Sequence, residues 1–151
     1  MRKIIAILGF VGVLLFVIVG VIDRSSDQQK SIVVFPNGTT VSIEIADDQI
    51  EREKGLAGRG SLSDSEGLLF LHNELATQTY WMKGMIIPID IIWIKENSIV
   101  GFVQNAQPED PPFTIYTSPE PVDKVLEVSV GFVDQNRLEI GDILDIVLPS
   151  E

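Results

Sequence analysis

Nineteen consecutive residues, Ile4 to Ile22, carry no charge, and only glycines interrupt their apolar run. Met1, Arg2 and Lys3 precede the run, and Asp23 and Arg24 follow it. At about 1.5 Å per residue, a helix of this length just covers a hydrocarbon core of about 30 Å. The run therefore divides the chain before any other feature is considered. Residues 1–30 read as a membrane anchor, with a span at about 4–22 and a short spacer, and residues 31–151 read as the domain that the anchor presents.

The basic residues ahead of the span favour a cytoplasmic N-terminus with the C-terminal domain outside the cell membrane. The alternative is a secreted domain released by signal cleavage. Against that stand the length of the apolar run and the lack of a small-residue cleavage site after Ile22. With no Cys anywhere, lipoprotein anchoring is excluded, and so are disulfides, thiolate nucleophiles and Cys-type zinc sites. An exported domain of this kind is held together by its core alone.

About 120 residues remain beyond the spacer, enough for one domain with one core. Of the 11 Lys and Arg, seven lie beyond Lys30, against twenty of the 22 Asp and Glu, a net charge near −13. Such a surface repels phosphate backbones, so nucleic acid is not an expected partner. It also opposes lying flat on anionic lipid.

From Ser31 the pattern is that of β-structure. Ile32 to Phe35 and Thr40 to Ala46 flank Pro36-Asn37-Gly38, a hairpin signal. Val41, Ile43 and Ile45 alternate with Ser42 and Glu44, which predicts one buried and one wet face. Asp48-Gln49-Ile50-Glu51 reads as a capping box opening a short helix that Gly55 ends. Leu68 to Leu71 is a short buried run, and Gln78 to Lys83 an aromatic-rich strand. Asp90 to Lys95 and Ile99 to Ala106 form a second hairpin about Glu96-Asn97-Ser98. The prolines between Gln107 and Phe113 exclude a central strand there. Lys124 to Val130 and Ile143 to Leu148 are the last strands, with a helical turn or loop at Asp134 to Arg137. Seven or eight strands and one short helix predict a mainly antiparallel, compact β-sandwich or barrel-like domain.

The candidate site residues are few, and each has a plain structural reading beside the functional one. Gly55-Leu56-Ala57-Gly58-Arg59-Gly60 resembles an anion loop with Arg59 as clamp. It follows a helix rather than preceding one, which fits a C-cap and a tight turn better. Tyr80 and Trp81 offer an aromatic platform, but on a strand they point to opposite faces, so at most one lines a groove. Asp90 stands beside a wall of apolar residues and needs a partner, for which Arg59 is the candidate. That pair would orient a substrate, tune a catalytic pKa or simply pin the glycine loop to the sheet. Glu127 interrupts another apolar strand, either as an acid–base partner of Asp90 or as the polar residue of a half-exposed strand with Val125 and Ser129 on its face. His72, the sole histidine, reads as a loop residue, and no metalloprotease, serine-hydrolase or calcium-loop motif is present. No cofactor or metal is expected.

Taken in order, Gly55-Leu56-Ala57-Gly58-Arg59, Gly67-Leu68-Leu69-Phe70, Trp81-Met82-Lys83, Pro88-Ile89-Asp90-Ile91, Leu126-Glu127 and Gly141-Asp142 resemble the blocks of a bacterial and archaeal family, number 192 among the domains of unknown function. The resemblance spans about Ser31 to Leu148. The family pattern runs roughly G-L-M-x-R, G-M-L-F, F-W-M-K-N-T, P-L-D-I, L-E-V and G-D. Ala57 and Leu68 stand where it has Met, and Gly84-Met85 where it has Asn-Thr. The resemblance implies a compact β-rich fold, often exported or membrane-tethered, and no activity. Arg59, Trp81, Lys83, Asp90 and Glu127 match its motif positions and form the candidate pocket.

Three functions follow as hypotheses. The first is a binding or accessory module of the cell envelope, with an envelope ligand or protein as partner and the membrane held through the N-terminal helix. The second is a carboxylate hydrolase acting on envelope polysaccharide through Asp90 and Glu127, whose carboxyls would then lie about 5–10 Å apart across a cleft. The third is a purely structural domain.

Overall fold

The structure, a computed structural model, describes residues 31–149. The predicted transmembrane segment lies outside the described residues, and no helix among them is long and apolar enough to cross a membrane. The strands are β1 (Ile32–Val34), β2 (Thr40–Ala46), β3 (Glu66–Ala76), β4 (Thr79–Tyr80), β5 (Ile89–Lys95), β6 (Ser98–Ala106), β7 (Tyr116–Thr117), β8 (Val122–Ser129) and β9 (Asp145–Val147). Two short helices, α1 (Gln49–Lys54) and α2 (Phe132–Asn136), complete the described part.

The domain is mainly β, as expected, but it is neither a two-sheet sandwich nor wholly antiparallel. Seven strands form one sheet in the order β6-β5-β8-β3-β2-β1-β9, and β4 pairs with β7 in a separate ribbon. Strands β2 and β3 run parallel. Parallel neighbours need a crossover, and α1 with its glycine turn supplies it. Period-2 alternation carries no information about strand direction, so the sequence pattern could not distinguish this connection from a hairpin.

The sheet curls into a half-barrel. Ser98 at the start of β6 bridges to Ile143, just ahead of β9 at the opposite edge. Ile99 N–H donates to Asp142 O at 2.9 Å, Gly141 N–H to Ile99 O at 2.8 Å and Leu144 N–H to Asn97 O at 2.8 Å. The Gly141-Asp142 motif thus closes a corner of the fold, with Gly141 at φ 100° where a side chain would be strained.

Curling gives the sheet two unlike faces. The enclosed face packs Val33, Phe35, Val41, Leu69, Ile92, Leu126 and Val128 against Phe132 and Val133 of α2. The outer face packs Phe70, Ile89, Ile91, Trp93 and Val125 beneath Leu56 and Met82 from the covering loops. Gly67 is required where β3 pairs with β8: a Cβ there would meet Glu127 O at 2.9 Å and side chains of Leu126 and Val41 at 3.2 Å. Asp48 caps α1, its Oδ1 accepting from Glu51 N–H at 2.8 Å, and Gly55 ends the helix, as predicted. Strand β3 runs well beyond the expected Leu68–Leu71, so His72 lies on a strand and not in a loop. The strand expected over Gln78–Lys83 shrinks to two residues.

Candidate functional site

The two carboxyl groups singled out in the sequence occupy adjacent strands and opposite environments. In the β5–β8 register Asp90 faces Val128 and Ile91 faces Glu127. Asp90 therefore shares the enclosed face with Ile92 and Ile94, and Glu127 the outer face with Val125. The sheet itself lies between them, and no cleft joins them. The acid–base pairing of Asp90 with Glu127 does not form.

Asp90 is wholly buried. Its carboxylate accepts the backbone N–H of Asn105 at 2.8 Å and of Val133 at 3.0 Å. The first bond fills a bulge where β6 shifts register opposite Asp90, with Asn105 at φ 55°. The second satisfies a free N–H in the first turn of α2, which otherwise has no side-chain cap. Both partners are backbone groups of the same domain, so Asp90 is a structural clamp. Its expected partner is also elsewhere: the Arg59 guanidinium pairs with Glu44 at the surface, not with Asp90.

Glu127 is equally deep, with 6% of its surface exposed, yet its Oε2 has no hydrogen-bond partner. Leu68 and Ile91 flank it in register on either side. The expectation of a half-exposed strand is therefore corrected. Burial among apolar neighbours disfavours its charge and pushes the carboxyl up to about 8. At neutral pH it is mainly a neutral acid, one O–H donor beside an acceptor oxygen.

Glu127 lines a solvent-open cavity of about 730 Å³ on the outer face. Phe70, His72 and Tyr80 line it beside Glu127, α1 contributes Gln49, Arg52, Glu53 and Lys54, and Trp81, Lys83, Gly84 and Met85 come from the segment after β4. The volume falls within the range of small-molecule sites. His72 Nε2 lies 3.2 Å from the Tyr80 hydroxyl. Burial, helped by nearby Arg52, lowers the His72 pKa from its ordinary value. Burial and then Glu127 push the Tyr80 hydroxyl up, so both groups are neutral hydrogen-bonding residues in the cavity. Tyr80 also packs edge-on against Phe70 and Trp93, with centroids 4.9 and 5.6 Å apart, which fixes the cavity wall.

Of the five candidate residues, the structure brings Trp81, Lys83 and Glu127 together at the cavity and leaves Arg59 and Asp90 outside it. Trp81, 55% exposed, lies beyond the end of β4, so strand alternation no longer separates it from Tyr80, and both line the cavity. His72, Arg52 and Lys54 were not among the candidates. Arg52 and Gln49 were legible as one helical face by their i, i+3 spacing; His72 was not, because the polar second half of β3 gives no strand signal. Ala57, Gly84 and Met85, where this chain departs from the pattern it resembles, all line the cavity. Gly84 sits at φ 74°, and its carbonyl accepts Gly58 N–H at 2.9 Å, tying the two loops together.

Residues 32–146 match the family model DUF192, described as an uncharacterized ACR. A crystal structure from Sinorhizobium meliloti 1021, described as a "putative transcription regulator", is similar at 31% identity, covering 78% of this chain and 92% of that one, with a TM-score of 0.70. A protein of unknown function from Novosphingobium aromaticivorans DSM 12444 is similar at 30% identity, covering 77% and 83%, also with a TM-score of 0.70. No curated protein matches the chain significantly.

Proposed function

The chain belongs to the DUF192 family, and on that premise we propose that it is a small-molecule-binding module, displayed outside the cell on an N-terminal helix over residues 4–22. The observation that carries this reading is the unpartnered Glu127 Oε2, buried beside a cavity of ligand size. A buried polar group without a partner costs about 1–3 kcal/mol, and a ligand that satisfies it recovers that cost. The aromatic wall of Phe70, Tyr80 and Trp81 would supply the apolar contact, and His72 a second hydrogen-bonding group. The two-carboxylate hydrolase has no support from this geometry, because Asp90 is occupied on the far face of the sheet. A domain charge near −13 opposes contact with DNA.

The test is a fragment screen on the full chain, repeated with Ala57→Phe, which adds a ring to the cavity lining, with its unfolding midpoint checked first. Binding that the variant abolishes supports the site. Hits that Ala57→Phe leaves untouched would refute it. For the tether, external protease should remove the C-terminal domain from intact cells. Protection until the cells are lysed would reverse the proposed orientation.

A further inference from the structure

The domain is strongly acidic, yet its cavity is not. Of the seven Lys and Arg beyond Lys30, Arg52, Lys54 and Lys83 line the cavity, against Glu53 and Glu127. Among the described residues, the ion pairs are Arg59 with Glu44, Lys95 with Glu120 and Lys124 with Asp123. The three cavity cations belong to none of them. Arg52 instead donates to the backbone oxygens of Leu71 and Asp47, which holds its guanidinium in place. In a domain with nearly three acids for every base, unpaired cations gathered around one concavity mark a place where the surface potential is locally inverted. A concave, partly apolar wall strengthens such a field relative to open water.

Resting on the binding reading above, we propose that the ligand is a soluble organic acid: an apolar body lying on Phe70, Tyr80 and Met85, with a single anionic head held by Arg52, Lys54 and Lys83. Glu127 fits this occupant. As a neutral acid it donates its O–H to an acceptor oxygen and adds no repelling charge. A cationic ligand would gain from an ionised Glu127 but would meet three unpaired cations. A neutral ligand would leave those cations unused.

Proton linkage gives the proposal a signature. The titratable groups that line the cavity with Glu127 are His72 on β3, Tyr80 on β4, Arg52, Glu53 and Lys54 on α1 and Lys83 in the loop after β4. Of these, His72 is lowered by its burial and Tyr80 raised by its own, so neither moves toward the range of Glu127. An anion prefers the protonated form of Glu127, so its affinity falls as pH rises through about 8. Glu127→Gln removes that dependence.

The experiment is calorimetric titration of the full chain in dodecyl maltoside with three isosteres: 4-phenylbutanoate, 4-phenylbutanol and 4-phenylbutylammonium. The expected result is binding of the carboxylate about tenfold more tightly than either isostere. The Lys54→Gln/Lys83→Gln double variant, with its unfolding midpoint checked first, should lose that preference. Glu127→Gln should bind with an affinity flat between pH 7 and 9. If the alcohol or the ammonium binds as tightly as the carboxylate, the organic-acid inference is overturned and the binding module stands. If none of the three binds up to about 10 mM, both readings fall.

Discussion

The two faces of the central sheet handle the same problem in opposite ways. Each buries one carboxyl group among branched aliphatic side chains, on neighbouring strands and one register position apart. On the enclosed face Asp90 accepts from two backbone N–H groups and holds a β-bulge to a helix. On the outer face Glu127 meets Leu68, Ile91 and a cavity. A buried polar group that is satisfied specifies structure; one left unsatisfied lowers stability, and its retention points to a role outside the fold. The difference lies in what covers each face. Helix α2 presents the free N–H of Val133 to Asp90, whereas α1 and the loop after β4 leave a cavity that Glu127 helps to line.

The largest effect that sharpens this contrast is expected from Asp90→Asn. An amide retains one acceptor oxygen and turns its NH₂ toward the other N–H, so the fold should lose about 4 kcal/mol, two charge-assisted hydrogen bonds being at stake. Urea unfolding of the full chain measures it, and a loss below about 1 kcal/mol would deny Asp90 its clamp role. Next is the pH dependence of Glu127. Its folded pKa lies above the unfolded value, so its neutral form is the one the fold accepts. The corresponding stability is fully present below about 4.5 and is lost as pH rises toward 8. At about 1.36 kcal/mol per unit, wild type should lose roughly 3 kcal/mol relative to Glu127→Gln between pH 4.5 and 7. Parallel stability curves for the two proteins would mean that Glu127 is satisfied in solution.

Gly67→Ala tests the wall between the faces. The added methyl would meet the Glu127 carbonyl oxygen at 2.9 Å, and the overpacking should cost about 2 kcal/mol by thermal or urea unfolding. The smallest effect is expected at Arg59, whose ion pair with Glu44 is largely solvated. Arg59→Met should change stability by less than about 1 kcal/mol. A larger loss would place Arg59 in the structural set beside Asp90.

Several of these features were open to reading from the chain. The β2 alternation, the Asp48 cap, the Gly55 stop and the β5–β6 hairpin rest on neighbours within a few residues, where propensity and spacing act directly. The two buried acids were visible as interruptions of apolar runs. Their partners were not: the bonds of Asp90 reach 15 and 43 residues along the chain. The same limit hid the parallel β2–β3 pair, the length of β3 and the placement of His72, because pairing with β2 and β8, not local pattern, extends that strand. It also made the Arg59–Asp90 pair plausible, since charge complementarity in a sequence carries no distance.

By itself, then, the sequence determined what each segment is locally: an apolar run long enough to span a membrane, a β-rich acidic domain, a six-block family pattern and a pair of anomalous acids. These follow from composition and short-range periodicity, which one chain states in full. Only the tertiary structure decided that Asp90 is satisfied and Glu127 is not, and that Arg52, Lys54 and Lys83 surround one cavity. Those outcomes depend on which face each strand turns inward and how the sheet curls, and that is fixed by pairing between residues far apart in the chain.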